Sequence, residues 1–231
     1  MRCLEGFELD WDGEIYYQSQ HIDDYLAAIQ TLQQQQSLYH CHCSRKQLAD
    51  SPTIYPGFCR QQPPISSLNC ALRIKTIDQN LVFNDLLQGK ISENMASQHG
   101  DFIIQRKDGI IAYQLAVVID DHLQGVNKIV RGYDLLESTT KQIYLHQLLG
   151  YQPPSYIHVP IIVDQQGQKL SKQSFAQAVD DNNRSQTLIQ LLKLLKQNPP
   201  QSLATAPVKL ILQWAIEHWQ PQKLTAISKI N

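Results

Sequence analysis

Apolar residues recur at helical spacing near the start of the chain. Tyr25, Ile29 and Leu32 lie three to four positions apart, which places them on one face of a helix. Acidic residues precede them, and negative side chains favour the first turn of a helix because its unpaired N–H groups point there. The pattern predicts a helix over about 23–38, with a short glutamine tract at its polar end.

Short apolar runs separated by polar turns follow in the middle of the chain. They predict strands at 71–75, 80–85 and 102–106, and a short buried strand at 128–132. Between and after them, helical spacing predicts helices over about 113–123 and 135–149. This alternation predicts an α/β fold with a parallel, wound sheet, in which ligands lie at the carboxyl ends of the strands.

Two other regions differ from this pattern. Residues 39–43 are too short and too polar for a core element, and residues 44–70 are rich in Pro, Ser, Gln and Cys. We therefore expect a small insert that something other than a hydrophobic core holds together. In the tail, apolar residues at helical spacing over about 185–219 predict two helices that pack on the core.

Composition limits the kinds of partner and compartment. A formal net charge of −1 and a pI near 6.7 argue against a protein that binds nucleic acid by bulk charge. A nucleic-acid partner would need a local basic face, although scattered surface charge explains the candidate residues equally well. These candidates are Arg45, Lys46, Arg60, Arg106 and Lys107. No apolar stretch reaches the roughly 18–20 residues of a membrane span, and no signal peptide is evident, so we expect a cytoplasmic protein.

Cysteines suggest a metal site. Five cysteines in unequal spacing do not resemble a disulfide framework. Three of them, Cys41, Cys43 and Cys59, can complete a tetrahedral zinc shell if an oxygen or nitrogen donor joins them. His40, His42 and Cys70 are competing ligands, and spacing alone leaves zinc and three reduced structural cysteines equally open.

A lysine-rich loop near the end of the α/β pattern is suited to phosphate. The apolar run 156–163 ends in a polar turn, and Lys169, Ser171 and Lys172 follow it. Lysine is a compact, mobile cation and serine adds a hydroxyl donor, so the loop can bind a polyphosphate. Read alone, such a loop is more often a solvated turn than a phosphate-binding one.

Three separated motifs give the chain a resemblance to a known family. The segments 113–123 (YQLAVVIDDHL) and 129–135 (IVRGYDL), the loop KLSKQ at 169–173, and Trp11-Asp12-Gly13 with Gln18-Ser19-Gln20 occur in the order seen in glutamyl-type class I aminoacyl-tRNA synthetases. Within them, the Arg-Gly-x-Asp-Leu pattern resembles the glutamyl-queuosine group. The likeness runs from about Phe7 to about Ala176.

The resemblance implies an architecture. We expect a Rossmann-like class I synthetase catalytic domain, N-terminally incomplete, with a small zinc-binding insert and a helical C-terminal tail. The expected regions are the remainder of the first nucleotide-fold half, the zinc-binding insert, the second catalytic half with the lysine loop, and the helical tail. Their boundaries are 1–38, 39–70, 71–175 and 176–231.

The resemblance also implies roles for individual residues. Tyr113 and Arg131 fall on glutamate-binding positions, and a guanidinium can bind a carboxylate through two parallel hydrogen bonds. From the residues alone, Arg131 can instead pair with Asp134 or Asp121, and Tyr113 can be a half-buried aromatic. Lys169, Ser171 and Lys172 are expected to bind ATP, with Lys172 catalytic. A structural zinc is expected at Cys41, Cys43, Tyr55 and Cys59, Tyr55 supplying the oxygen donor.

The implied substrates are ATP with Mg²⁺, glutamate, and tRNA(Asp) bearing queuosine, and the protein is expected to be a monomer. The alternatives are a fragment of a discriminating glutamyl-tRNA synthetase and a non-catalytic, zinc-stabilised remnant that binds tRNA or protein. The family's first signature, a His-Ile-Gly-His-like loop, is not found in the sequence, and His21 replaces the usual arginine. We therefore expect the chain to lack a first segment and to be impaired in ATP-pyrophosphate exchange.

Overall fold

The computed structural model describes residues 2–49, 54–62, 69–170, 179 and 182–231. The helices in these ranges are α1 (Arg2–Gly6), α2 (Ile22–Gln34), α3 (Arg45–Ala49), α4 (Tyr113–Leu123), α5 (Leu136–Leu149), α6 (Arg184–Leu194) and α7 (Val208–His218). The strands are β1 (Leu38–Cys41), β2 (Ala71–Ile74), β3 (Asn80–Asp85), β4 (Gly89–Asn94), β5 (Ile103–Gln105), β6 (Lys128–Gly132), β7 (Ser155–Val159), β8 (Ile161–Ile162) and β9 (Lys229–Ile230).

The described strands form three sheets. Antiparallel β1, β2 and β5 lie in that order, and a second sheet has the order β4, β3, β7, β6. In the second sheet β6 and β3 each run parallel to β7, whereas β4 forms an antiparallel hairpin with β3. The third is the short parallel pair β8 and β9. The α/β class is confirmed, but the sheet is mixed because the 89–94 segment, which the periodicity did not reveal, returns as a hairpin strand.

The main core lies where α2, α4 and α5 pack on the first two sheets. Fully buried side chains from these elements fill it, among them Tyr25, Leu32, Ile74, Ile104, Leu115 and Leu145. A separate, smaller cluster joins α6 and α7 to Phe7 near the N-terminus. The two predicted tail helices exist, but the prediction that they pack on the main core is wrong: they pack on each other around Ile211, in a cluster separate from it.

The first predicted helix ends earlier than expected. α2 stops at Gln34 because Gln36 adopts a left-handed conformation, with φ of 57°, and the Ser37 N–H closes back onto the Leu32 carbonyl. Left-handed backbone cannot continue a right-handed helix. Leu38 begins β1, and the expectation that 39–43 forms no core element is wrong, because β1 pairs along its whole length with β2.

The predicted strand at 128–132 exists but is not buried. β6 lies at an edge of the second sheet, and Val130 is 61% exposed. Edge strands keep one row of backbone groups and one face available to other partners. The predicted helices 113–123 and 135–149 are confirmed, although a 3₁₀ turn over Tyr133–Leu135 precedes α5. Gly150 follows α5 with φ of 71°, as its role as a helix stop requires.

Candidate functional site

Arg131 lies at the carboxyl end of β6, where an α/β sheet presents ligand-binding side chains. Its Nε donates a hydrogen bond to His158 Nε2 at 3.0 Å, and one Nη2 N–H donates to Thr139 Oγ1 at 2.7 Å. Nη2 also lies 3.3 Å from the Leu135 carbonyl oxygen. The guanidinium is thus held along one edge by β7 and by the start of α5.

Behind Arg131 lies a fully buried pair. The His158 side chain and the Asp85 side chain are both 0% exposed, and His158 Nδ1 lies 2.7 Å from Asp85 Oδ2. The carboxylate also accepts from the backbone N–H groups of Leu87, Gln88 and His158. Burial opposes ionisation of Asp85, but these hydrogen bonds outweigh it and lower the pKa of the carboxyl group. Asp85 is therefore a stable buried anion.

The other edge of the guanidinium is open. No described residue accepts a hydrogen bond from Arg131 Nη1. Arg131 also forms no ion pair within the described residues: Asp134 pairs with Lys169 instead. Asp121 is close enough for Arg131 to oppose the upward shift in its pKa, which burial and then Asp120 produce.

Aromatic side chains border the same space. The Arg131 guanidinium lies 5.3 Å from the centre of the Tyr156 ring. The Tyr156 hydroxyl is buried without a hydrogen-bond partner, and Tyr113 is close enough to affect its pKa, which burial raises. Tyr113 itself, at the first position of α4, is 50% exposed. The structure therefore brings Tyr113 and Arg131 close to the same buried tyrosine.

The first residue of the lysine loop faces the same end of the sheet. Val163 and Lys169 form an isolated antiparallel bridge, and Asp164 closes the turn between them by accepting from the N–H groups of Gln166 and Gln168. Lys169 Nζ contacts Asp134 Oδ2, which follows Arg131 closely along the chain. Ser171 and Lys172 lie outside the described residues.

Gly132 makes this close contact possible. A Cβ at this position would lie 2.5 Å from Asp134 Oδ1 and 3.4 Å from Ile161. Any side chain would therefore displace Asp134 and, with it, the contact to Lys169. The Arg-Gly-x-Asp order in the sequence is explained by this local packing.

The candidate metal centre lies at the far end of the first sheet. The sulfur atoms of Cys41, Cys43 and Cys59 lie within 4.8 Å of one another. The Tyr55 hydroxyl lies 3.4 Å from both Cys41 Sγ and Cys43 Sγ, and Cys43 Sγ lies 3.5 Å from Cys59 Sγ. In a tetrahedral site with Zn–S of about 2.3 Å and Zn–O of about 2.0 Å, ligand atoms are separated by roughly 3.5–3.8 Å. The donor set present here fits a zinc ion.

The alternative fourth ligand fits less well. His42 reaches only Cys59, with its Nδ1 at 3.7 Å from the sulfur, whereas Tyr55 contacts two thiols and also accepts the Cys59 backbone N–H at 3.1 Å. Among the described residues, neither His40 nor Cys70 places a ligand atom in the group formed by the three thiols. Tyr55 therefore completes the tetrahedron better than its competitors.

The electrostatic surroundings favour an anionic thiolate at Cys41 but oppose one at Cys43. Burial alone would raise the pKa of Cys41, but hydrogen bonds from Tyr55 and then Arg73 lower it to about 7. Burial is the largest of the effects that raise the pKa of Cys43 to about 11. The Arg73 guanidinium also lies 3.8 Å from the centre of the Tyr55 ring. A cation in this position offsets part of the charge that several thiolates would bring to one site.

One carboxylate fastens the insert to the sheet. Asp101 is 4% exposed and accepts from Thr76, from the Tyr39 hydroxyl and from the Arg60 guanidinium next to Cys59. Gly100 precedes it with φ of 62°, and a Cβ there would lie 2.5 Å from Ile54. The insert can approach the sheet this closely only because Gly100 has no side chain.

The residues predicted to form a basic face take part in local contacts. Arg60 pairs with Asp101, Arg106 pairs with Asp108, and Lys107 donates to the His42 carbonyl. Lys46 is exposed on α3, and the side chain of Arg45 lies outside the described part of the chain. Two of the five basic residues, Arg60 and Arg106, are therefore paired with carboxylates.

Sequence reasoning missed His158, Asp85 and Thr139. A signal for His158 was present: it follows Tyr156 by two positions in an apolar run, so both side chains lie on the same buried face of β7. A lone polar residue at an inward position needs a partner. Nothing in the sequence indicated that the partners would be a carboxylate on β3 and an arginine on β6.

Comparisons with known proteins agree with this geometry. The family model for tRNA synthetases class I (E and Q), catalytic domain, matches residues 60–195. Curated relatives include glutamyl-Q tRNA(Asp) synthetases from Thiobacillus denitrificans, at 44% identity, and Dechloromonas aromatica, at 41%, each covering 95% of this chain and 75% of the relative. A third, from Pseudomonas aeruginosa, is 40% identical over 97% of this chain and 76% of the relative.

Solved structures share the fold. The chain superposes on a glutamate tRNA ligase from Elizabethkingia meningosepticum with a TM-score of 0.75 and 18% identity, and on a glutamate-tRNA synthetase from Elizabethkingia anophelis with a TM-score of 0.77 and 19% identity. All of this chain is covered, and it spans 56% and 57% of those chains. Among the described helices, none has the length and apolar character needed to cross a bilayer.

Proposed function

Because the chain belongs to the glutamyl-Q tRNA(Asp) synthetases, a family of class I aminoacyl-tRNA synthetase-like ligases, we propose that it activates glutamate with ATP and transfers it to the queuosine base of tRNA(Asp). The observation that best supports this is the open Nη1 edge of Arg131 at the carboxyl end of β6. A fixed cation with free N–H donors is suited to a carboxylate side chain.

The chemistry needs no nucleophilic side chain. A carboxylate oxygen of glutamate attacks the α-phosphate of ATP, which forms glutamyl-adenylate and releases pyrophosphate. A hydroxyl of the queuosine base then attacks the acyl carbon and displaces AMP. Both steps depend on positioning and on stabilisation of negative charge.

In this proposal the site residues have separate tasks. Arg131 binds the glutamate side chain, and Tyr113 borders the pocket. Lys169, Ser171 and Lys172 bind the ATP phosphates together with Mg²⁺, and Lys172 stabilises charge on the α-phosphate as it is attacked. The contact between Lys169 and Asp134 links the lysine loop to the turn after Arg131. Glutamate and ATP would therefore bind to residues that lie close to each other.

A zinc ion would have a structural role. Cys41, Cys43, Tyr55 and Cys59 would hold it, which would leave no ligand position for a substrate. The described insert adds few residues to the main core, so the ion would replace a hydrophobic core in fixing its shape. The region boundaries 1–38, 39–70, 71–175 and 176–231 stay a prediction.

Gene disruption tests the activity of the protein as its own cell makes it. tRNA from the disrupted strain and from its parent is digested to nucleosides and analysed by mass spectrometry. We expect glutamyl-queuosine to disappear and unmodified queuosine to accumulate, and a plasmid copy of the gene to restore the parental pattern. An unchanged glutamyl-queuosine level would contradict the proposal.

Transfer of radiolabelled glutamate in vitro identifies the acceptor. We expect label on tRNA(Asp) from cells that make queuosine and none on tRNA(Asp) from cells that lack it. Label on tRNA(Glu) would instead identify a discriminating glutamyl-tRNA synthetase. Binding of tRNA without any transfer, together with normal glutamyl-queuosine in the disrupted strain, would identify a non-catalytic binding protein.

A further inference from the structure

We propose that His158, fixed by Asp85, and Thr139 are positioning residues that hold Arg131 in one orientation, so that its Nη1 edge discriminates glutamate from uncharged analogues. The inference rests on the proposed function, because it assigns Arg131 to the glutamate side chain. It adds three residues that the family resemblance did not supply.

The protonation state of His158 follows from its neighbours. Asp85 is a carboxylate and only accepts, so His158 Nδ1 carries the hydrogen in the 2.7 Å contact. Arginine only donates, so His158 Nε2 must present its lone pair to Arg131 Nε at 3.0 Å. The imidazole is therefore neutral, with one defined tautomer. Burial also lowers the pKa of His158, despite the opposing effect of Asp85.

Asp85 fixes His158 through its own rigidity. Its carboxylate accepts three backbone N–H groups, two from the turn between β3 and β4 and one from β7, so it cannot rotate without losing several buried hydrogen bonds. A histidine held by such a carboxylate has one ring orientation as well as one tautomer. The acceptor that Arg131 contacts is thus set by the backbone of β3 and β7.

Thr139 supplies the second point of attachment. It is 0% exposed on the first turn of α5, and its Oγ1 accepts from Arg131 Nη2 at 2.7 Å. Contacts through Nε and Nη2 use the same edge of the planar guanidinium, which leaves the two N–H groups of Nη1 for a ligand. A single hydrogen bond would permit the guanidinium plane to turn about that bond, whereas two hydrogen bonds fix the plane.

A fixed donor edge has a selective consequence. One carboxylate oxygen accepts from Nη1 and the other can accept from a neighbouring donor, whereas the NH₂ of a carboxamide would confront one of these donors. A mobile guanidinium could turn toward the carboxamide oxygen alone, which would reduce the free-energy cost of binding glutamine in place of glutamate. We therefore expect loss of a positioning residue to weaken glutamate binding more than glutamine binding.

Two adjacent threonines allow a matched test. Thr139 and Thr140 are both 0% exposed on α5, but the Thr140 hydroxyl donates to Glu93 Oε2 at 2.5 Å, away from Arg131. Thr139→Val and Thr140→Val each remove one buried hydroxyl at nearly constant volume. Glutamate affinity, measured by calorimetry on the full chain, should fall about tenfold in Thr139→Val and stay within about twofold of wild type in Thr140→Val.

His158 is tested by removal and by replacement. His158→Leu removes the acceptor, and we expect at least a tenfold loss of glutamate affinity and a smaller ratio of glutamate to glutamine affinity. His158→Gln places a carbonyl oxygen near the position of Nε2, so it should recover most of the loss. If His158→Leu fails to fold, the two threonine variants still decide the question.

The tautomer gives a readout that needs no ligand. In ¹H–¹⁵N spectra of the wild-type chain, the His158 ring should show a protonated Nδ1 and an unprotonated Nε2 from neutral pH to below the usual histidine pKa. A protonated Nε2 at neutral pH would overturn the inference. So would equal glutamate affinities for wild type, Thr139→Val and His158→Leu.

The failure of the proposed function has a different signature. Wild-type protein that binds neither glutamate nor ATP, together with unchanged glutamyl-queuosine in the disrupted strain, would overturn the proposed function and this inference with it. Wild-type protein that binds glutamate normally, with Thr139→Val unaffected, would overturn the positioning role alone.

Discussion

The metal cluster and the Arg131 site are both built from polar side chains, but they are completed in different ways. Around Arg131, the buried carboxylate and imidazole meet partners of the same chain: Asp85 meets backbone N–H groups and His158, and His158 meets Arg131. In the cluster, three thiols and one phenol face one another, and all four groups are suited to bind a cation.

The difference teaches where each site obtains its rigidity. The Arg131 site stands on β3, β6 and β7, which pair with one another and pack on the main core. The cluster stands on the end of β1 and on residues 54–62, tied to the sheet mainly through Asp101. We infer that the first site is preorganised by folding and that the second depends on a bound ion.

The largest expected effect is at the cluster. Structural zinc sites contribute on the order of 10 kcal/mol of metal-binding free energy, and the geometry predicts about one zinc per chain. Cys41→Ser should lose most of the zinc and expose the insert to proteolysis, because one of four ligands is weakened. Cys3→Ser changes an exposed cysteine far from the cluster and should keep both zinc and protease resistance. Elemental analysis and limited proteolysis measure the two outcomes.

Equal zinc content in Cys41→Ser and Cys3→Ser would contradict the inference that the cluster depends on a bound ion. The cluster would then be a set of reduced structural cysteines. Chelation should have the same local effect as Cys41→Ser. It should leave glutamate binding by the Arg131 site nearly unchanged if the two sites are as independent as their supports indicate.

The next effect is at Arg131. Arg131→Ala should weaken glutamate binding by about 2–5 kcal/mol and leave ATP binding nearly unchanged, because a desolvated carboxylate loses its charged partner. Arg131→Lys keeps the charge but cannot make the contacts to His158 and Thr139 together, so it should recover only part of the loss. Calorimetry with each substrate separates the two. Equal losses for glutamate and ATP would indicate a folding role.

A buried histidine outside both sites shows what an unpartnered polar group costs. Neither ring nitrogen of His146 has a hydrogen-bond partner in the described structure, and burial, then His122, lowers its pKa to about 4. The unfolded state binds the proton more readily than the folded state, so His146 does not lower the free energy of unfolding above about pH 6.5. As pH falls toward 4, protonation of the unfolded state lowers the free energy of unfolding by about 2–3 kcal/mol.

His146→Leu should therefore flatten the dependence of the free energy of unfolding on pH between 7 and 4.5. Urea titrations at several pH values measure this dependence. His158 is present in both proteins, so the difference between the two pH dependences reports His146 alone. Parallel curves for the two proteins would show that His146 is already protonated or solvated.

The smallest expected effect is at the surface. Asp134 and Lys169 form an ion pair in which both side chains are substantially exposed, at 33% and 49%. Such pairs contribute little because water and salt screen them, so Asp134→Asn should change the free energy of unfolding by less than about 1 kcal/mol. A larger loss in thermal or urea unfolding would mean that the turn after Arg131 is part of the preorganised site.

Local patterns predicted most of the elements. Helical spacing and stop residues located α4, α5 and the two tail helices, since burial of one face repeats every turn regardless of what the face packs against. The predictions for the end of α2 and for residues 39–43 were wrong. A left-handed Gln36 ends the helix, and pairing with β2 makes β1 a strand. The 89–94 hairpin strand has too little apolar alternation to be recognised.

The sequence by itself determined the family and the α/β class. It also identified Tyr113, Arg131, Lys169 and the three cysteines of the metal cluster as candidate residues, and it left the fourth donor open. These depend on residue type and order, which a motif preserves. Only the tertiary structure decided that His158 and Asp85 orient Arg131, and that Tyr55 contacts two thiols while His42 reaches one. The physical reason is range: a motif fixes neighbours within a few residues, whereas Asp85, Arg131 and His158 meet only because three strands pair in one register.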